Sequence, residues 1–166
     1  MDEKAKKTAL RMIPYGLYVL TSRSSEGAAA ATVNWVTQAS FEPPLVVVAV
    51  KTDSRIYGVL RSSGAFALNF LGKEQGEIAY AFFKPVESDE RQIGGHEYDA
   101  GTTGSPILRA APAFVECRVT DVVERGDHAV VVGEVVEAGV RREPEGRPDE
   151  AVLWLKDLGP KIFYGG

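Results

Sequence analysis

Residues 113–138 read AFVECRVTDVVERGDHAVVVGEVVEA. Val115, Cys117 and Val119 alternate with Glu116, Arg118 and Thr120, so the first set is expected inward and the second outward, as on a half-buried strand. Arg125-Gly126-Asp127 supplies a turn, and residues 128–138 return as a second apolar strand. Strands joined this closely pair antiparallel, because a parallel pair needs a crossover of about a dozen residues or more. The pattern repeats upstream. Residues 16–23 (GLYVLTSR) place Leu17, Val19 and Thr21 on one face and Tyr18, Leu20 and Ser22 on the other. A Glu26-Gly27 turn leads to a strand over 28–35 that begins with small residues. After the Phe41-Glu42-Pro43-Pro44 break, residues 45–51 (LVVVAVK) are a continuous apolar run, expected to be buried on both faces. Thr52-Asp53-Ser54 caps a helix over about 54–63, with Ile56, Val59 and Leu60 on one face and Gly64 ending it. Residues 65–71, 151–155 and 161–164 read as further strands. Residues 2–13, stopped by Pro14, and 74–83 read as helices, and 84–105 as a long loop. Most strands are sequential or hairpin-linked. The expected fold is therefore α+β, mainly β: an antiparallel barrel with short flanking helices rather than a doubly wound sheet.

The 166 residues are expected to form a single domain, 1–166, long enough to bury a core without disulfides or a structural metal. A net charge of −4 lacks the basic footprint of a nucleic-acid or anionic-membrane binder, though it leaves room for a local pocket that takes one small anion. One cysteine, Cys117, allows no intrachain disulfide, and no His/Cys/Asp/Glu spacing suits a metal. The charged start MDEKAKKTALRMIP does not read as a signal peptide, and the longest apolar run, residues 45–50, is too short to span a bilayer. A cytoplasmic, soluble protein is expected.

Three constellations could carry chemistry. In residues 32–40 (TVNWVTQAS), Asn34, Thr37, Gln38 and Ser40 follow a small-residue strand; they suit a flat heterocycle, and equally a solvated strand end. Lys51, Ser54 and Arg55 stand where a strand meets a helix N-terminus, which suits a phosphate, although Asp53 opposes an anion and an ordinary capped helix reads the same way. His128 follows the Gly126-Asp127 turn, where it either reaches a ligand at the barrel mouth or simply bonds Asp127. No glycine-rich phosphate loop, catalytic triad or paired-carboxylate motif is present.

Taken together, these segments resemble the flavin reductase-like family with its FMN-binding split barrel. The likeness rests on residues 16–22 (GLYVLTS), 32–48 with the acidic-Pro-Pro turn, 64–71 (GAFALNFL) and Gly126-Asp127-His128. Residues 15–18 (YGLY) and 98–106 (YDAGTTGSP) are similar to the small ferric or flavin reductases within it. Trp35 and Gln38 depart from the family pattern, which has serine at both places in several members. The resemblance implies an antiparallel split β-barrel and an NAD(P)H:flavin oxidoreductase in which NADH or NADPH reduces bound FMN, or else FAD. Electrons would pass to free flavin, ferric complexes, oxygen, a monooxygenase or another electron carrier. A non-catalytic flavin-binding or electron-transfer module is the alternative. It also implies a homodimer with one flavin per subunit. Thr32, Val33, Asn34 and Trp35 would lie along the ring system, and Gln38, Ala39 and Ser40 would support the ring or ribityl chain. Lys51, Ser54 and Arg55 would hold the phosphate, Phe83 and Lys84 would close over the site, and His128 would face the nicotinamide.

Overall fold

In the computed structural model, which describes residues 1–166, the elements in chain order are α1 (Glu3–Arg11), β1 (Tyr18–Ser24), β2 (Gly27–Val33), β3 (Val36–Ser40), β4 (Leu45–Lys51), α2 (Arg55–Ser63), β5 (Ala65–Phe70), α3 (Gly76–Ala81), β6 (Gln92–Ile93), β7 (His96–Ala100), β8 (Pro106–Leu108), β9 (Ala113–Glu124) and β10 (His128–Val140). Seven strands make one antiparallel sheet in the order β2-β1-β5-β9-β10-β4-β3, and β6-β7-β8 make a small second sheet. The hairpin expected over 113–138 is the β9–β10 pair, which is also the longest ladder of the molecule.

The large sheet curls until β2 and β4 touch, and α2 fills the space enclosed. Ser54 caps α2 by accepting a hydrogen bond from the Tyr57 amide, and Gly64 ends it in the left-handed region at φ 67°. Ile56, Tyr57, Val59 and Leu60 turn inward against Leu20, Val48, Val50, Phe66, Leu68 and Val131. Each aliphatic side chain buried this way contributes roughly 1.5–3 kcal/mol.

A second core lies on the opposite face of β1 and β2. Alternation along β1 sends Leu20 into the first core and Leu17 and Val19 into the second, where Ala28 and Ala30 of β2 meet Phe82, Ile93, Tyr98 and Leu108. Both strands are thus covered on both sides, which explains why β2 is built of alanines.

Four expectations are corrected. The segment 84–105 is not an irregular loop: it contains β6 and β7. Residues 151–155 and 161–164 are not strands. The first makes isolated bridges to Gly16 and Gly72, a 3-10 turn over Leu155–Leu158 follows, and 161–164 has no regular structure. Glu116 points inward, 1% exposed, where its carboxylate accepts from the amides of Thr102 and Thr103 and from the Thr103 hydroxyl. In β4 only Val48 and Val50 are buried; Leu45, Val47 and Ala49 keep a half-open outer face. No helix is long and apolar enough to cross a membrane.

Candidate functional site

Pairing of β4 with β10 sets His128 directly opposite Lys51. The link from β4 to α2 is tied to the β9–β10 turn, because the amide and the hydroxyl of Thr52 both donate to the Asp127 carbonyl, at 3.0 and 3.1 Å. The start of α2 therefore sits beside His128, with first-turn amides that no residue within the helix can satisfy. A cavity of about 410 Å³ opens here. It is lined by Lys51 and Ser54 at the start of α2, by Ala49, Val50 and Ile56, by Thr32, Val33 and Asn34 around the end of β2, and by Phe82 and Phe83 after α3.

Most polar groups around the cavity already have partners, which limits what each can offer a ligand. Thr32 gives its hydroxyl to the Ala79 carbonyl at 2.7 Å and its amide to the Phe82 carbonyl at 3.0 Å, so it holds α3 against the site. The Lys51 ammonium lies 3.1 Å from Asp53, and this hydrogen bond raises the lysine's pKa. An anion at this end would have to compete with that carboxylate. Ser54 donates to the Lys51 carbonyl at 2.6 Å while it caps the helix.

His128 is engaged on both ring nitrogens. Nδ1 lies 2.9 Å from the Asp127 carboxylate and Nε2 lies 2.8 Å from the Tyr164 hydroxyl. The bond to His128 holds the Asp127 carboxyl below its ordinary range, so Asp127 accepts and Nδ1 carries the proton. In the neutral imidazole, Nε2 then accepts from the Tyr164 phenol, whose pKa burial raises. Trp35 packs on both rings, with centroids 4.7 Å from His128 and 5.4 Å from Tyr164, and its buried Nε1 has no partner.

Of the residues singled out from the sequence, Thr32, Val33, Asn34, Lys51, Ser54, Phe83 and His128 line the cavity. Trp35 lies behind it, against His128. The structure does not bring Gln38, Ala39 and Ser40 to it: they lie on the edge strand β3, the first two exposed. Nor does it bring Arg55, whose guanidinium lies near Gly27, or the exposed Lys84. Residues 162–164 were missed altogether. Ile162, Phe163 and Tyr164 line the cavity, and Asn34 Nδ2 donates to the Tyr164 carbonyl at 3.1 Å. The adjacent aromatic pair after a glycine-proline break was the available signal.

Residues 10–158 match the flavin reductase like domain. The chain belongs to this family. A flavin reductase (NADH) of Kitasatospora aureofaciens is 33% identical over 146 residues, covering 87% of this chain and 74% of that protein. The reductase subunit of stachydrine N-demethylase from Rhizobium meliloti is 30% identical over 135 residues, or 81% of this chain and 57% of that subunit. This chain spans only part of several curated relatives, from 21% to 57% of their length. The solved styrene monooxygenase flavin reductase of Pseudomonas putida S12 superposes with a TM-score of 0.70 at 28% identity, covering 82% of this chain and 87% of that one. The flavin reductase fold, a mainly antiparallel barrel with few short helices, is therefore the fold of this chain.

Proposed function

We propose that the protein binds FMN, or FAD, in the 410 Å³ cavity and serves as an NAD(P)H:flavin oxidoreductase that hands electrons to free flavin, a ferric complex, oxygen, a monooxygenase or another electron carrier. The observation that carries this reading is the cavity's polarity. A helix N-terminus with Lys51 and Ser54 stands at one end, and an apolar, small-residue wall extends from it. The donor set suits a phosphate at the first end, and the wall suits a flat ring at the other. A bound flavin would supply the hydride-accepting chemistry. The chain's own residues bind and orient. Lys51, Ser54 and the first amides of α2 hold the anionic end, and the backbone at 32–34 and the Phe82–Phe83 rim hold the ring and limit water. His128, locked by Asp127, holds Nε2 as a fixed acceptor that the Tyr164 hydroxyl now occupies. Gln38, Ala39, Ser40, Arg55 and Lys84 lie outside this cavity in one subunit. Their roles in this reading depend on a second copy or a larger ligand.

Ser54→Asp tests the phosphate end. Aspartate caps a helix as well as serine does, so α2 should persist, while the new carboxylate faces the anion. In a fluorescence titration, wild type should prefer FMN to riboflavin by about tenfold or more, since a hydrogen bond to a charged group is worth roughly 1.5–3 kcal/mol. Ser54→Asp should erase most of that preference without weakening riboflavin. A variant that still prefers FMN as strongly as wild type would move the phosphate elsewhere. Anaerobic bleaching of the flavin band by NADH or NADPH separates an oxidoreductase from a flavin-storage module.

A further inference from the structure

Residues 161–166, of which 162–164 line the cavity, form no helix or strand, and one backbone hydrogen bond, Ile162 to Gly159, is all they make within the backbone network. Side chains hold them instead. Asn34 donates to the Tyr164 carbonyl, His128 Nε2 meets the Tyr164 hydroxyl, and Arg11 donates to the Gly165 carbonyl at 3.2 Å with its guanidinium 4.3 Å from the Phe163 ring. Phe163 and Tyr164 remain 53% and 48% exposed. A segment held by a few partly exposed contacts opens at low free-energy cost.

What Tyr164 presents to its neighbours resembles a ligand. A flat ring beside Trp35 offers an acceptor to Asn34 and a donor to His128 Nε2. Asn34 is 5% exposed, so its amide needs a replacement acceptor whenever Tyr164 leaves. A nicotinamide nucleotide carries the matching groups. Its carboxamide N–H can take the phenol's place on Nε2, and a carboxamide or ribose oxygen can take the carbonyl's place on Asn34. The cavity is near the lower end of the ~300–1,000 Å³ typical of sites for one small molecule, and Tyr164 occupies the places on Asn34 and His128 that a second planar ring would take.

From this we infer that Tyr164, with Phe163, is an internal place-holder in the nicotinamide site and that the nucleotide binds by displacing it. The inference rests on the flavin reductase reading above. The closed segment lowers apparent nucleotide affinity by the fraction of molecules in which the site is open. Residues Asn34 and His128 serve two occupants in turn, and Asp127 keeps His128 in the tautomer that suits both.

The test combines direct binding of NAD⁺ by calorimetry, with and without FMN, and hydrogen exchange of peptides covering 159–166. Tyr164→Phe removes the bond to His128 and keeps the ring, and Tyr164→Ala removes both. NAD⁺ should bind about two- to twelvefold tighter to Tyr164→Phe, the range one net hydrogen bond of roughly 0.5–1.5 kcal/mol gives, and tighter still to Tyr164→Ala. Exchange in 159–166 should speed up when NAD⁺ is added to wild type. Weaker NAD⁺ binding in either variant, slower exchange on adding NAD⁺, or no NAD⁺ binding by any form would overturn the place-holder. A protein that takes up no FMN would overturn the flavin reading instead, while the exchange result still judges the segment.

Discussion

Glu116 and Cys117 are neighbours on β9, both fully buried, and they answer burial in different ways. The carboxylate is tolerated because three donors from Thr102 and Thr103 converge on it, and a Cβ on Gly101 would fall 2.2 Å from its Oε1. Only glycine at position 101 lets the chain wrap so closely around the side chain. Cys117 has no such shell. Burial, and then the negative charge of Glu116, push its thiol from 9.0 up to about 12. The folded state therefore favours the protonated thiol. This contribution to stability is complete below pH 9 and is lost as pH rises from 9 toward 12. Cys117 should accordingly resist a thiol-specific disulfide reagent at pH 8 in the native protein and react fully once urea unfolds it. Rapid native labelling at pH 8 would place the thiol at the surface.

At the scale of elements, the strands of six residues or more were legible and the shorter ones were not. β1, β4, β5, β9 and β10 each run six residues or more, and α2 carries a cap, an apolar face and a terminal glycine. By contrast β6 has two residues and β7 five, too few to rise above the Gly- and Asp-rich composition around them. The inward turn of Glu116 is set by a loop 13 residues upstream in the chain, which no pattern local to β9 reveals. In the site, the residues at the β4–α2 junction and the β9–β10 turn were legible because local chemistry marks them. Ile162, Phe163 and Tyr164 were not, since they reach the cavity from the far end of the chain through side-chain contacts alone. Gly133 shows the same dependence on tertiary context. It lies where the β9–β10 register shifts, and a Cβ there would come within 2.6 Å of the Phe66 ring and 2.8 Å of Cys117 Cβ. Phe66 is fully buried and has nowhere to go. Gly133→Ala should cost about 1–3 kcal/mol by overpacking, seen as a lower urea midpoint with an unchanged slope. A midpoint equal to wild type would mean that the β9 bulge at Thr120, opposite Gly133, absorbs the methyl.

For the whole molecule, the outer face of the large sheet is unfinished. The run LVVVAVK predicts a strand covered on both sides, yet within one chain β4 is covered on one. Register shows what its open side joins. Ala49 lies opposite Val130 and Val47 opposite Val132 across the β4–β10 pair, and Val130 lies opposite Val123 across β9–β10. Val123 and Val130 are 48% and 39% exposed. The next pair along the same face is Lys51 with His128, so this valine-rich face runs directly into the candidate site, with Ala49 belonging to both. We propose that a second copy of the chain covers this face, as the apolar run of β4 predicts. A stable interface of this kind buries about 1,200–2,000 Å² in total. The protein should therefore sediment at twice 17.9 kDa at micromolar concentration. Val130→Lys places a charge in the middle of the face without disturbing either core. It should shift the species to 17.9 kDa and weaken FMN binding, with the thermal unfolding of each subunit otherwise cooperative. Wild type that remains at 17.9 kDa while holding flavin tightly would show that one subunit completes the site alone. A dimer untouched by Val130→Lys would place the interface on another surface and leave the apolar run of β4 without its partner.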